Sequence, residues 1–237
     1  MNKNERSFFE GLRDIDPYFI GEGEEVVKAL FNSKIEVISI LMEEHYLAKV
    51  DIPPDVKVKL ATKEELKKIT GYVMHQGIMA LGVKPQNVPI SQMKGAAVVL
   101  NGVVNAENVG AIIRNAVAFG VKNLVVDKHS SPPYLRRTIK VSRGALFQMN
   151  LHITSDLPAL LKTKNSIAAC LTSDAVNLDD IPFTKDPYFV FGREGTGIDK
   201  DVLDTCPIKV KIPIDPIIDS LNVAVACGII LYTHNKG

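Results

Sequence analysis

Two small polar residues, Ser220 and Asn222, follow a proline-containing stretch near the end of this 237-residue chain. The segment from Ile212 to Ala226 begins like the end of a buried strand and continues as the first turns of an apolar helix. A helix start carries unpaired backbone N–H groups and a partial positive charge, so it suits a carboxylate or a developing oxyanion. A serine N-cap on a buried helix would produce the same pattern. The segment therefore predicts either an anion-binding helix start or an ordinary cap.

A second segment, 105–120, contains Asn108, Gly110 and Arg114 and follows a predicted strand. Asn108 is predicted to be the N-cap of an amphipathic helix, and Gly110 would let its first turn approach a ligand closely. Arg114 would then lie near the carboxyl edge of a parallel sheet, where open α/β sheets bind their ligands. An arginine on the solvent face of an amphipathic helix is the alternative interpretation.

A third segment, 188–198, places Gly192, Gly195 and Gly197 where a buried strand is predicted to enter a loop. Glycines at these positions permit positive φ angles and close backbone contact with a flat ligand. Glu194 could contact such a ligand, or it could accept backbone N–H groups within the turn. The loop lacks the lysine and hydroxyl residue of a Walker motif, and it comes too late in the chain for a dinucleotide-binding fingerprint.

The elements that must position these residues are predicted to form two α/β domains. In the first part, a helix is expected at 24–32, strands at 34–41 and 56–60, and a capping box at 62–65 opens another helix. Two prolines and a glycine at 82–90 indicate a linker. Beyond it, short runs rich in Val, Ile or Phe predict a parallel sheet covered on both faces, with strands at 96–100, 123–126, 166–171, 188–191 and 207–212.

Composition and charge are those of an ordinary soluble protein, with 46% hydrophobic residues and a formal net charge of +1. A charge near zero excludes no nucleic-acid partner, because basic residues can be confined to one face. The three cysteines (Cys170, Cys206 and Cys227) fit neither a disulfide framework nor a metal site and indicate reduced thiols. The N-terminus has no signal-like apolar stretch, and the run 223–232 is too short to span a bilayer. A cytoplasmic protein is therefore expected.

Taken together, the three segments resemble, in order and spacing, the motifs of the SpoU (TrmH-like) family of RNA 2′-O-ribose methyltransferases within the SPOUT superfamily. The resemblance covers residues 94–235. The preceding part is similar to the ribosomal-protein L30e-like substrate-binding domain often joined to this family, on the segments 22–26 and 75–78. The three family motifs read Asn-x-Gly-x-x-x-Arg, Gly-x-Glu-Gly-x-Gly, and Ile-Pro followed by Ser-Leu-Asn-Val. They match Asn108, Gly110 and Arg114; Gly192, Glu194, Gly195 and Gly197; and Ile212, Pro213, Ser220, Leu221, Asn222 and Val223.

The resemblance implies an L30e-like RNA-binding α/β domain at 1–82, a linker at 83–93, and a parallel-sheet α/β methyltransferase domain with a trefoil knot at 94–237. It further implies S-adenosylmethionine as cofactor, no metal, a homodimer, and ribosomal or transfer RNA as substrate. Catalysis is implied for Arg114, with Glu194, Ser220 and Asn222 in support. The residues implied to bind the cofactor are Gly192, Glu194, Gly195, Gly197, Ile212, Ile214, Ser220 and Leu221.

The role of Arg114 within this reaction is open between two forms. Arginine stays protonated in proteins, so it is a poor general base. We expect it to orient a phosphate and to stabilise the developing alkoxide, the alternative being proton removal helped by an RNA phosphate. Asn108 is expected to contact RNA beside it. Arg136, Lys140 and Arg143 are spaced along one predicted helical face and favour a phosphate track, although a solvated helix face would look the same.

Departures from the family pattern occur at four positions, where Ala106, Ile214, Pro216 and Ala224 replace Pro, Met, Gly and Ser. Pro216 fixes φ and removes a backbone donor in the loop expected to hold the cofactor. A non-catalytic RNA-binding protein on the same scaffold is therefore the alternative hypothesis. A nucleotide-dependent enzyme with a Rossmann site is disfavoured, because the acidic ribose-binding residue after an early glycine motif is missing. The presumed chemical residues are all present, so the sequence favours an active enzyme.

Overall fold

The computed structural model describes residues 16–181, 183 and 185–236. No helix in these ranges is long and apolar enough to cross a membrane. The described residues form the strands β1 (Tyr18–Glu22), β2 (Val37–Met42), β3 (Lys57–Leu60), β4 (Ile78–Val83), β5 (Ala97–Asn101), β6 (Asn123–Asp127), β7 (Asn150–Thr154), β8 (Ser166–Ala169), β9 (Val176–Asn177), β10 (Tyr188–Gly192) and β11 (Ile208–Lys211). They also form the helices α1 (Glu24–Phe31), α2 (Lys63–Thr70), α3 (Ala106–Ala118), α4 (Arg136–Ser142), α5 (Leu157–Leu161), α6 (Lys200–Leu203) and α7 (Val223–Lys236).

These elements divide between two compact units. The first unit contains the described residues up to Gln86 together with Pro132–Gln148, and the second contains Asn87–Ser131 and the residues from Met149 onward. The boundary after Gln86 falls inside the expected linker. Residues 132–148, which fall within the second domain expected at 94–237, are grouped with the first unit, and the expected domain limits stay predictions. Helix α4 lies against β1 and buries its apolar side there, which draws the segment into the first unit.

The first unit has a four-stranded mixed sheet in the order β1-β4-β2-β3. Strand β4 pairs antiparallel with β1 and β2, and β2 pairs parallel with β3. The predicted helix at 24–32 is confirmed by α1. The predicted capping box is confirmed as well: the Thr62 hydroxyl accepts the Glu65 N–H at 3.3 Å, and the Glu65 carboxylate accepts the Thr62 N–H at 2.8 Å.

Four strands were absent from the sequence prediction, namely β1, β4, β7 and the two-residue β9. Strand β4 is buried almost throughout, so its sequence does not alternate between apolar and polar residues. It also runs directly into the proline-containing segment, so the sequence gives no clear end to the strand. Strand β7 lies at the edge of its sheet and is half exposed, which weakens its apolar signal.

The second unit has a seven-stranded sheet in the order β7-β6-β5-β10-β8-β11-β9. Every pair in it is parallel, which confirms the predicted parallel α/β architecture. Strands β5, β6 and β10 are buried along their whole length, as expected of a sheet covered on both faces. Their carboxyl ends lie side by side, with Gly192 of β10 opposite Asn101 of β5. The loops that follow these strands therefore meet at one edge.

Candidate active site

The side chains of Asn108, Glu194 and Asn222 bring the three predicted segments together. The Asn108 Nδ2 donates to Glu194 Oε1 at 2.8 Å, and the Asn222 Nδ2 donates to the same oxygen at 2.9 Å. The Asn222 Nδ2 also lies 3.0 Å from the Asn108 Oδ1. One carboxylate oxygen thus accepts from two amides, and Glu194 joins the start of α3 to the start of α7.

Helix α7 is capped by Asn222, and the alternative of a Ser220 cap is wrong. The Asn222 Oδ1 accepts the N–H of Ala224 at 2.9 Å and that of Val225 at 3.4 Å. Asn222 therefore uses its oxygen for the helix and its nitrogen for Glu194. Ser220 lies two residues earlier and is exposed.

Helix α3 begins one turn earlier than predicted, so the expectation that Asn108 is its N-cap is wrong. Asn105 takes that role, because its Oδ1 accepts the Glu107 N–H at 2.8 Å. Asn108 lies within the first turn, where its side chain is buried and directed to Glu194. Two turns later, the Asn115 Nδ2 donates to the carbonyl of Ala224 at 2.8 Å, which ties α3 to α7.

Arg114 is exposed on α3, one turn beyond Gly110. Its guanidinium forms no ion pair with the residues that the structure describes. A guanidinium without an internal counter-ion can take a phosphate without first breaking a protein contact.

The glycine loop is a tight turn whose shape depends on its glycines. The Arg193 and Gly197 backbones exchange hydrogen bonds at 3.1 and 3.0 Å. A Cβ on Gly192 would lie 2.2 Å from the Gly197 carbonyl carbon, so no larger residue fits there. Gly195 and Gly197 have φ angles of 87° and 74°, a region that L side chains rarely adopt. The glycines are thus needed to present Glu194, whatever the loop binds.

A cavity of about 90 Å³ lies beside the carboxyl ends of β8 and β11. Its walls include four of the predicted cofactor residues, Ile212, Ile214, Ser220 and Leu221. Gly192, Glu194, Gly195 and Gly197 do not line it. Residues that the sequence analysis missed also line it, and the only signal for them was that they end parallel strands: Ala169, Cys170, Leu171 and Lys211.

Pro216 occupies a position in the following loop that suits proline. The Ile218 N–H donates to the Asp215 carbonyl at 3.1 Å, and the Ile217 N–H donates to the Asp215 side chain at 2.9 Å. Pro216 is thus the second residue of a turn, where its fixed φ is favoured and its missing N–H is not needed. It does not line the cavity.

The predicted phosphate track lies in the first unit and is engaged in internal ion pairs. The Arg136 Nε and the Lys140 Nζ lie 2.9 and 3.1 Å from the two carboxylate oxygens of Glu22, which is buried. The Arg143 guanidinium lies 3.7 Å from the Glu25 carboxylate. Arg143 follows the end of α4 and has a φ of 52°, so the expected single helical face holds only for the other two cations. The side chains of Lys140 and Arg143 remain about half exposed.

Glu22 is held as an anion by its partners. Burial raises its pKa, but the hydrogen bond from Tyr72 and the charges of Arg136 and Lys140 outweigh burial and lower the pKa below its usual value. The same contact acts on the phenol, because burial and the bond to Glu22 together raise the pKa of Tyr72 to about 12. Glu22 therefore joins two cations and a phenol within the first unit. No group of three or more metal-ligating side chains occurs among the described residues of either unit.

Comparison with known proteins gives concordant results. A sequence model of the SpoU rRNA Methylase family matches residues 95–232. The chain is 29% identical over 184 residues to the 23S rRNA (guanosine-2′-O-)-methyltransferase RlmB of Nitrosomonas europaea, over 73% of this chain and 71% of that protein.

Two solved structures share the fold. The AdoMet-bound rRNA methyltransferase from Sinorhizobium meliloti has a TM-score of 0.84 at 21% identity, over 99% of this chain and 93% of that one. The SpoU methyltransferase AviRb from Streptomyces viridochromogenes, in complex with AdoMet, also has a TM-score of 0.84, at 17% identity, over 100% and 98% of the two chains.

Proposed function

We propose that this chain, which belongs to the SpoU rRNA Methylase family, transfers the methyl group of S-adenosylmethionine to a ribose 2′-hydroxyl of ribosomal RNA. The observation that carries the proposal is the junction of three separate segments at Glu194, through Asn108 and Asn222. The RlmB relative methylates 23S rRNA and both structural neighbours bind AdoMet, which supports the substrate and the cofactor. Transfer RNA is the other substrate considered.

The cavity beside β8 and β11 fits one part of the cofactor. Ile212, Ile214 and Leu221 give it apolar walls, which suit a flat ring such as adenine. At about 90 Å³ it is smaller than the roughly 300 Å³ of pockets that enclose a whole ligand, so the remainder of the cofactor would lie outside it. When bound, S-adenosylmethionine supplies a methyl group already activated by its sulfonium charge.

The residues of the chain would hold the acceptor and assist the loss of its proton. Arg114, exposed and forming no ion pair with the described residues, would bind an RNA phosphate and stabilise the charge developing on the 2′-oxygen. Glu194 would act as a hydrogen-bond acceptor of fixed position, because two amide donors hold its carboxylate. Ser220, on the wall of the cavity, would contact the cofactor. Positioning is a large part of such catalysis, since held reactants avoid the entropy cost of a chance encounter.

A labelling experiment tests the proposal. Labelled S-adenosylmethionine is incubated with the protein and with ribosomal or transfer RNA. The RNA is taken from cells that lack this protein. Arg114→Ala should abolish transfer and leave the cofactor dissociation constant within about two-fold, because Arg114 is assigned to the RNA side. Lys122→Ala is a matched control, since Lys122 is exposed and precedes β6 at the opposite edge of the sheet. No transfer to either RNA, with no cofactor binding by calorimetry, would overturn the proposal.

The alternative of a non-catalytic RNA-binding protein depended on Pro216. The turn at Asp215–Ile218 accommodates proline, so that residue no longer favours the alternative. The labelling experiment separates the two functions, because the alternative requires RNA binding without any response to S-adenosylmethionine.

The proposal extends to RNA contacts outside the methyl-transfer site. Arg136, Lys140 and Arg143 would share their charges between the internal carboxylates and RNA phosphates, and their partial exposure supports this. Asn108 and Arg114 would contact RNA in the second unit. The L30e-like character of the first unit and the trefoil knot of the second stay predictions.

Assembly as a homodimer in the cytoplasm completes the proposal. Large apolar side chains are exposed on and before α7, at Ile217, Ile218, Val225 and Tyr232, and they support a partner surface. The three cysteines are free, as expected in a reducing compartment. Light scattering and sedimentation of the purified protein would measure the oligomeric state.

A further inference from the structure

A second set of polar side chains lies at the carboxyl edge of the same sheet, outside the three motifs. The Asn101 Nδ2 donates to Asp127 Oδ2 at 3.1 Å and to Asp199 Oδ2 at 3.0 Å. The Asn101 Oδ1 accepts the Asp199 N–H at 2.7 Å. Asn101 is 2% exposed and all of its amide groups are used, while the Asp199 side chain is partly exposed.

The two aspartates that contact Asn101, Asp127 and Asp199, form further hydrogen bonds. The Asp127 carboxylate accepts the Gly102 N–H at 2.9 Å and the Ser130 N–H at 2.7 Å. The Asp199 carboxylate accepts the Arg193 Nη2 at 3.0 Å. Asp199 precedes α6, yet its side chain forms no capping bond to that helix. Its carboxylate is instead committed to Asn101 and Arg193.

The contact of Arg193 with the strand end is close. A Cβ on Gly102 would lie 2.5 Å from the Arg193 Nε, so a larger residue there would displace the guanidinium from this position. Arg193 directly precedes Glu194, and Asp199 follows the glycine turn. The hydrogen-bonded set therefore holds both ends of the loop that carries Glu194.

The two sets of bonds join the same two stretches of chain. Asn101 precedes Asn108 by seven residues, and Asp199 follows Glu194 by five. Asn101 is the last residue of β5, and Asp199 is the residue before α6. We propose that Asn101 and Asp199 are positioning residues for methyl transfer, which set the place of Glu194 against Asn108 and Asn222. This inference rests on the proposed function.

A kinetic double-mutant cycle tests the inference. Asp199→Ala removes one of the two carboxylates that accept from Asn101, together with the partner of Arg193. We expect kcat for methyl transfer to fall roughly ten-fold with KM for RNA within about two-fold. In a Glu194→Gln background the same substitution should change kcat less than about two-fold, because residues that act through one group are not additive. Asp199→Asn keeps a carbonyl acceptor and should restore most of the loss. Asp204→Ala is the control, since Asp204 forms an exposed ion pair with Lys200.

Losses of equal size in the two backgrounds would overturn the inference, because they would show that Asp199 acts independently of Glu194. An equal loss of kcat in Asp199→Asn and Asp199→Ala would also overturn the inference. Hydrogen exchange of the amides at 193–199, compared between the wild type and Asp199→Ala, needs no turnover. Faster exchange in the variant is expected, and unchanged exchange would overturn the inference. A wild type without activity would overturn the proposed function alone, since the exchange result is independent of it.

Discussion

Asn222 contacts Glu194 with one end of its amide and caps the C-terminal helix with the other. Its Nδ2 lies 2.9 Å from the Glu194 Oε1, while its Oδ1 accepts the Ala224 N–H at 2.9 Å. The Glu194 carboxylate is thereby placed near the positive end of the α7 dipole. The position of the Glu194 carboxylate is thus coupled to the start of a helix.

The two roles of Asn222 can be separated by substitution. Asn222→Ser keeps a capping oxygen but loses the donor to Glu194, so we expect a nearly unchanged unfolding free energy and a clear loss of methyl transfer. Asn222→Ala loses both the capping oxygen and the donor to Glu194. It should therefore lose methyl transfer as well and also lower the unfolding free energy by about 1 kcal/mol. Thermal unfolding and single-turnover transfer measure the two effects. Full transfer by Asn222→Ser would show that the contact with Glu194 is not needed.

The two glycines at 192 and 195 should differ in their tolerance of a side chain. A Cβ on Gly192 meets backbone atoms of Gly197 and Ile198 at 2.2 and 2.3 Å, and no rotamer change relieves this. A Cβ on Gly195 meets nothing within 4 Å, so only its positive φ opposes substitution, at about 1–3 kcal/mol. We expect Gly192→Ala to abolish cofactor binding and Gly195→Ala to weaken it moderately. Calorimetric titration with S-adenosylmethionine measures both, and equal losses would contradict the steric argument.

The stability of the first unit should depend on pH through Glu22. Its folded pKa is lowered, since the bond from Tyr72 and the charges of Arg136 and Lys140 outweigh the effect of burial. A lowered pKa contributes stability that is present above the unfolded pKa and is lost as the pH falls through the folded one. The free energy of unfolding of the wild type, measured with urea, should therefore fall as the pH drops below about 5. Glu22→Gln should be less stable at neutral pH, with a flatter acid dependence. The same acid slope in the variant would assign the effect to other carboxyl groups.

The salt dependence of RNA binding tests the role proposed for Lys140. A lysine that contacts one phosphate contributes about one unit to the slope of log K against log salt concentration. Lys140→Gln should therefore reduce the slope by about one unit. Lys63→Gln, an exposed substitution at the start of α2, should leave the slope unchanged. Equal slopes for the two variants, with a loss of stability in Lys140→Gln, would mean that Lys140 serves Glu22 alone.

Local patterns were sufficient for much of the fold. The parallel sheet followed from short apolar runs separated by helical segments, and the capping box at Thr62 followed from residue types alone. The caps of α3 and α7 were placed wrongly, because several asparagines and serines near a helix start can each serve as a cap. Only the path of the backbone selects Asn105 and Asn222 among them. Strand β4 was missed, because burial on both faces removes the alternation by which a strand is recognised.

The sequence by itself determined the family, the parallel α/β class and the identity of Glu194, Asn108 and Asn222 as residues to examine. It could do so because motif order and spacing are properties of the chain. The tertiary structure alone decided that these three side chains share hydrogen bonds and that Arg136 and Lys140 face a buried Glu22. It alone revealed the pairing of Asn101 with Asp199. The physical reason is that such contacts join residues 28 to 118 positions apart, and their energy depends on burial and distance, which only the folded chain defines.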